Sequence, residues 1–200
     1  MVNLAPRTLA DVLDCLRMVG KVAGVAVRAE HVIAHLRSRI DAVAVRSAAA
    51  LPRPRVVLLE WLNPPFSCGH WTPELVNLAG GIELLGRTGE HSHTLRWNEV
   101  EAAEPDVIVV ACCGFDLART QQDLAALESV PEWNRLSAVR NGRVFVTDGS
   151  QYFSCPGPRL VDSLEILAHA LHPDIHRQPR RLPRALTLVE LQRESAHSDA

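Results

Sequence analysis

The chain has 200 residues, of which 47% are hydrophobic and 22% charged, and this composition is typical of one globular domain with a sizeable core. Its formal net charge is −2, so the sequence lacks the basic surface that nucleic-acid-binding proteins present to phosphate groups. No apolar run approaches the length that a membrane-spanning helix needs.

Two helices are predicted before the first strand. Thr8 is a good N-cap for a helix over residues 9–24, in which apolar residues recur at helical spacing. A second helix is predicted over residues 28–49, with a length of about 30 Å. It ends at the segment Leu51-Pro-Arg-Pro54, since proline interrupts a helix.

Strands alternate with helices in the rest of the chain. The segment RVVLLEWL (55–62) has the β-branched and large apolar residues of a buried strand, and VIVVACCGF (107–115) is the most strand-like segment of all. The other predicted strands are IELLG (82–86) and RVFVTD (143–148), and helices are predicted at 70–78, 97–103, 117–127 and 158–171. This alternation predicts an α/β fold, a single three-layer lobe with a mainly parallel sheet of about four strands.

Four segments carry a resemblance to a known family. These are EWLNPPFSCGHWTPELVNLAGG (60–81), RWNEVEAAEPDVIVV (96–110), VPEWNRLSAVRNGRVFVTD (130–148) and YFSCPGPRLVDSLEILAHALHP (152–173). In order and spacing they resemble the C-terminal lobe of helical-backbone, class III periplasmic substrate-binding proteins, the type that serves ABC importers of vitamin B12 and iron–siderophore chelates. The NPPF and PGPRL motifs are fairly specific.

The resemblance implies an organisation in three parts. Residues 1–50 would be the end of an N-terminal lobe followed by the long helix that links the lobes. Residues 51–173 would be the C-terminal ligand-binding lobe, and residues 174–200 a polar tail, with a short helix over 185–192. Most of an N-terminal lobe is missing from this arrangement, so the chain corresponds to one half of a two-lobe clamp.

The expected ligand site lies beyond the carboxyl ends of the strands, as in other open parallel sheets. Scarce aromatic residues concentrate there and suit a large, flat, partly apolar chelate. The candidate ligand-binding residues are Trp61, Pro65, Phe66, Ser67, Gly69, His70, Trp71, Gly114, Phe115, Tyr152 and Phe153. No intrinsic cofactor and no metal site are expected, because the His-x-His segment at His91 and His93, beside Glu90, is typical of a solvated loop.

The resemblance also implies partners and a location. The ligand would be a corrinoid or another metal chelate, and an ABC permease would dock through acidic residues, for which Glu74 is the candidate. Because MVNLAPRTLADV lacks the basic start and long apolar stretch of a secretory signal, the chain as given is expected in the cytoplasm. If its N-terminus is truncated, a periplasmic or other extracytoplasmic location is expected instead.

Two alternatives to a binding protein stay open. The chain could be a half-protein that binds nothing alone and pairs as a homodimer or with a separate N-terminal lobe through its exposed apolar edge. Less favoured is a cysteine-dependent enzyme, with Cys112 or Cys113 as nucleophile at a strand end and His70 as base.

Overall fold

A computed structural model describes residues 3–198, within which there are ten helices and six strands. The strands are β1 (Arg55–Leu62), β2 (Pro65–Ser67), β3 (Ile82–Glu83), β4 (Val107–Val110), β5 (Val144–Val146) and β6 (Leu186–Thr187). The helices are α1 (Leu9–Val22), α2 (Ala26–Ser47), α3 (Thr72–Leu78), α4 (Trp97–Ala102), α5 (Leu117–Leu127), α6 (Pro131–Arg135), α7 (Ser137–Arg140), α8 (Gly149–Tyr152), α9 (Leu160–Leu171) and α10 (Leu188–Ser198). In the described part of the chain, no helix is both long and apolar enough to span a membrane.

The strands form one mainly parallel sheet, which confirms the predicted α/β fold class. Its order is β2-β1-β4-β5-β6, with β3 paired to the start of β1. The four predicted strands run parallel, whereas β2 and β6 are antiparallel to β1 and β5 respectively. The sequence predicts neither antiparallel strand: β2 lies in a predicted loop, and β6 lies in the expected polar tail.

The core lies on both faces of the sheet, as alternation along β1 requires. Val56 and Leu58 pack with α1, α2, α3 and α9 on one face, while Val57 and Leu59 pack with α4, α5, α6 and α10 on the other. All four residues are completely buried. The result is the three-layer arrangement predicted from the sequence.

The tail after α9 continues the lobe. Leu186 of β6 and Leu191 of α10 are buried in the second core face, and β6 extends the sheet beyond β5. The predicted tail helix over 185–192 therefore begins later, at Leu188, because the residues before it pair as a strand.

Helices α1 and α2 form a helical hairpin, and only part of this hairpin packs on the rest of the chain. Thr8 and Asp11 form a capping box at the start of α1, as the N-cap prediction requires. From Ile33 onward α2 packs on α9, and Arg39 donates hydrogen bonds to Asp162 and Glu165 at 2.6 and 2.9 Å. The end of α1, the turn after it and the start of α2 expose six apolar residues, which we call the helical tip: Met18, Val19, Val22, Val25, Val27 and Val32.

Glu83 is the last residue of the short strand β3, and its carboxylate is hydrogen-bonded to the backbone. It accepts hydrogen bonds from the backbone N–H groups of Leu58, Leu85 and Gly86, each at 3.1 Å. In this way one side chain replaces the carbonyl groups that a longer strand would present to β1. Desolvation raises the pKa of Glu83 to about 7, although the hydrogen bonds oppose that shift.

This raised pKa predicts that the Glu83→Gln substitution changes how stability depends on pH. A carboxyl group with a folded-state pKa near 7 and an unfolded value near 4.5 stabilises the fold fully only below the unfolded value. Its contribution, about 3 kcal/mol, is lost as pH rises from 4.5 to 7. Urea denaturation across that range should show a steeper loss of stability in the wild type than in Glu83→Gln, and parallel curves would contradict the assignment.

Candidate functional site

A cleft opens at the carboxyl ends of β1 and β4, the edge at which the sequence predicts a ligand. Its volume is ≈180 Å³. Nine residues from five segments line it: Glu60, Gly69, His70, Trp71, Ser92, Ala111, Cys113, Phe153 and Ser154. The carboxyl edge of an open parallel sheet is the general place for a ligand, because loops from successive strands converge there.

Two aromatic residues give the cleft its apolar wall. Trp71 and Phe153 are only 9% and 3% exposed, and both belong to the core on the α3 and α9 face of the sheet. The indole Nε1 of Trp71 donates a hydrogen bond to the backbone carbonyl of Phe153 at 3.1 Å. This bond joins the segment before α3 to the end of α8, so the two rings hold a fixed relative position.

Glu60, near the end of β1, gives the cleft a polar group opposite in character to the aromatic wall. Its Oε1 accepts a hydrogen bond from the N–H of Gly69 at 3.2 Å, and its Oε2 accepts one from the Ser92 hydroxyl at 2.7 Å. Burial raises the pKa of Glu60, an effect that these hydrogen bonds partly offset. The carboxylate thus connects the strand with two loops and still borders the cleft.

The segment from residue 86 to 94, which we call the rim loop, is hydrogen-bonded to the residues after β1. The N–H of His70 donates to the carbonyl of Glu90 at 2.6 Å, and the N–H of Ser67 donates to the carbonyl of His93 at 3.0 Å. Gly69 permits this approach, since a Cβ there would lie 2.3 Å from the backbone N of Ser92. His70 itself has a φ of 52°, in the left-handed region that residues with a side chain seldom adopt.

The ring of His70 stands at the edge of the cleft. It contacts the rings of His91 and Trp71, with centroid distances of 4.7 and 5.5 Å. Desolvation, followed by the charges of His91 and Arg7, lowers the pKa of His70, so the neutral imidazole is favoured. The described residues contain no group of three or more histidine, cysteine, aspartate or glutamate side chains arranged to hold a metal ion.

Four of the predicted ligand residues meet in this cleft: Gly69, His70, Trp71 and Phe153. Gly114 lies at its border, where its N–H donates to the Ser154 hydroxyl at 3.2 Å. The sequence missed five lining residues, namely Glu60, Ser92, Ala111, Cys113 and Ser154. The informative pattern for Glu60 was a single charged residue within an otherwise apolar strand, because such a residue usually has a specific partner.

The other predicted ligand residues take different positions. Trp61 and Phe115 pack on each other with ring centroids 4.5 Å apart, outside the lining of the cleft, and Arg119 covers Phe115 at 4.4 Å. Tyr152 is half-buried, with the guanidinium of Arg159 5.7 Å from its ring centroid.

The remaining three belong to the hairpin of β1 and β2. Pro65 and Ser67 are buried, and the Ser67 hydroxyl is hydrogen-bonded to Nδ1 of His93 at 3.0 Å. Phe66 pairs with Trp61 across the hairpin. The prediction placed these residues at the ligand edge because it interpreted the NPPFS segment as an open loop, whereas the chain turns back there and pairs with β1.

Glu74, the predicted docking residue, has a partner within the chain. Its Oε2 accepts a hydrogen bond from the backbone N–H of Leu9, the first residue of α1, at 2.9 Å. A carboxylate stabilises the unpaired N–H groups and the positive end of a helix at this position. Docking through Glu74 therefore stays a prediction, and it would use the remaining oxygen.

The two cysteines after β4 differ in environment. Cys112 is buried, and desolvation raises the pKa of its thiol to about 12, which leaves it protonated and unreactive at neutral pH. Cys113 is exposed and borders the cleft. The burial of Cys112 removes it as the nucleophile of the enzyme hypothesis.

Comparison with known proteins gives a family match over most of the chain. The model of a family described as "Periplasmic binding protein" matches residues 2–150. No curated protein sequence matches the chain significantly.

Solved structures with the same fold include three from bacteria. A periplasmic binding protein from Veillonella parvula is 25% identical with a TM-score of 0.71, and the match covers 83% of this chain and 57% of that one. A periplasmic heme-binding protein from Pseudomonas aeruginosa is 24% identical with a TM-score of 0.72, covering 93% and 65%. IsdE from S. aureus, solved with heme, is 15% identical with a TM-score of 0.74, covering 83% and 66%. The chain thus spans about three fifths of the length of these structures.

Proposed function

The chain belongs to the periplasmic binding protein family, and on that premise we propose that it is the substrate-binding component of an ABC import system for cobalamin or a related metal chelate. The family is one of binding proteins, which argues against the cysteine-dependent enzyme. The family acts outside the cytoplasm, which favours the extracytoplasmic alternative over the cytoplasmic expectation. An ABC permease would be the protein partner.

The observation that carries this proposal is the cleft at the carboxyl edge of the sheet. Trp71 and Phe153 supply an apolar wall, and Glu60, His70 and Ser92 supply polar atoms around it. A mainly apolar concavity with a few fixed polar groups is the usual form of a small-molecule site. A cavity of ≈180 Å³ is smaller than a corrin or porphyrin, so the chain would hold one edge of such a ligand.

A titration with hydroxocobalamin tests the proposal. Trp71 borders the cleft, so a bound chelate should quench its fluorescence in a saturable way, and isothermal titration calorimetry should give the same affinity. A matched titration of Trp71→Phe would attribute the quenching to this residue, since Phe retains an aromatic wall. If neither hydroxocobalamin nor hemin gives a saturable signal up to high micromolar concentrations, the proposal fails.

A second candidate function is an interaction module that needs another polypeptide. The helical tip favours it, because Val22 and Val27 are 70% and 73% exposed and lie beside the other apolar residues of the turn. The partner would be a second copy of the chain or a separate N-terminal lobe. Light scattering coupled to size exclusion, run across a range of protein concentrations, would detect the homodimer. A monomer at all concentrations that binds hydroxocobalamin would argue against this candidate.

A further inference from the structure

The charge of the cleft is set by one residue. Of the nine lining residues, Glu60 is the one acidic side chain, and none is arginine or lysine. The charge of Arg7 acts on His70, but Arg7 is exposed, so water screens its effect. A ligand group that enters the cleft consequently meets hydrogen-bond acceptors and negative charge.

The carboxylate of Glu60 is held in place before any ligand arrives. Gly69 donates a hydrogen bond to Oε1 and Ser92 donates one to Oε2, and the Thr72 side chain is a third hydrogen-bonding partner. Two carboxylate oxygens offer about four acceptor positions, so one position remains for a donor from the ligand. An entering carboxylate would instead face a partly desolvated like charge, which is unfavourable.

We propose that Glu60 makes the cleft selective for chelates whose periphery carries hydrogen-bond donors, such as the primary amides of a corrinoid, over chelates whose periphery carries carboxylates. The inference rests on the proposed function and narrows its ligand class. Glu60 acts in it as a specificity-determining residue, and the carboxylate-bearing class that it disfavours includes heme with its propionates.

A matched pair of corrinoids tests this selectivity. The probes are cyanocobalamin and the derivatives in which one side-chain amide has been hydrolysed to a carboxylate, with the dissociation constants measured by calorimetry on the full chain. The wild type should bind the amide form about tenfold more tightly than at least one carboxylate derivative, the size expected for a hydrogen bond to a charged group. In Glu60→Gln the ratio should approach one.

Two control variants separate charge from structure. Glu90→Gln makes the same charge change in the rim loop at a side chain that is 64% exposed and outside the cleft lining, so it should keep the wild-type ratio. Ser92→Ala removes the hydrogen bond to Glu60 but keeps the carboxylate, so it too should retain selectivity. Loss of selectivity in Ser92→Ala equal to that in Glu60→Gln would overturn a direct role for the charge.

If Glu60→Gln folds poorly, the affinities of the wild type alone still test the inference. If it binds both corrinoid forms with equal affinity, the inference is overturned while the proposed function stands. If it binds neither form, the proposed function fails, and the inference fails with it.

Discussion

Replacement of Trp71 by alanine should lower the free energy of unfolding by about 3–5 kcal/mol, the usual cost of removing a large buried aromatic side chain. The residue packs in the core on the α3 and α9 face of the sheet, so little of the resulting cavity should close. The hydrogen bond from Nε1 to the carbonyl of Phe153 would be lost as well. Urea denaturation followed by far-UV circular dichroism measures the effect.

The same substitution should remove chelate binding, because it deletes the larger part of the apolar wall. Trp71→Phe is the matched control: it keeps most of the buried ring and loses the indole donor, so we expect a cost of about 1–2 kcal/mol. Equal stability of Trp71→Ala and the wild type would mean that the indole does not pack as described.

Gly149→Ala should destabilise the chain by about 3 kcal/mol or more, because the added Cβ would overlap backbone atoms, and these cannot rotate away as a side chain can. A Cβ at this position would lie 2.1 Å from the carbonyl oxygen of Cys112 and 2.7 Å from the carbonyl carbon of Ala111. Those atoms belong to the backbone just after β4, at the floor of the cleft. The strand end would have to move, and the shape of the site would change with it.

Gly157→Ala provides the control for Gly149→Ala. Gly157 has no atom within 4 Å of its added Cβ, so alanine there should leave the midpoint of thermal unfolding nearly unchanged or raise it slightly. Differential scanning calorimetry of the two variants measures the contrast. Similar midpoints for both would contradict the close approach of Gly149 to β4.

The buried central strands were the most predictable part of the fold. The run from Arg55 to Leu62 was predicted with its exact bounds, because uninterrupted β-branched and large apolar residues indicate a strand covered on both faces. The cap at Thr8 was equally local, since its side chain needs only the next three residues. Both predictions depended on chemistry within a few positions.

The antiparallel edge strands were not predictable in the same way. β2 follows two prolines, which indicate a turn, and it is only three residues long, so no period of two can develop. β6 has two residues, and its pairing with β5 depends on a contact across about forty positions of sequence. Such pairings depend on where the sheet lies in the folded chain, so the local sequence gives little indication of them.

The candidate site was predictable at the level of its edge and less so at the level of side chains. The rule that ligands bind beyond strand carboxyl ends led to Trp71 and Phe153, both of which border the cleft. The contact of Trp61 with Phe115 could not be predicted, because Phe115 comes from another loop. Ser92 and Ser154 escaped prediction since isolated serines in loops are common and their neighbours depend on the tertiary fold.

The hydrogen bonds that hold the rim loop affect the expected kinetics of ligand binding. The backbone of this loop is hydrogen-bonded to the chain after β1 at more than one point, including the 2.6 Å contact of His70 with Glu90 and the 3.0 Å contact of Ser67 with His93. A loop fixed in this way loses little conformational entropy when a ligand arrives. Stopped-flow association should therefore follow a single phase whose rate rises linearly with ligand concentration, without the plateau of a slow ordering step.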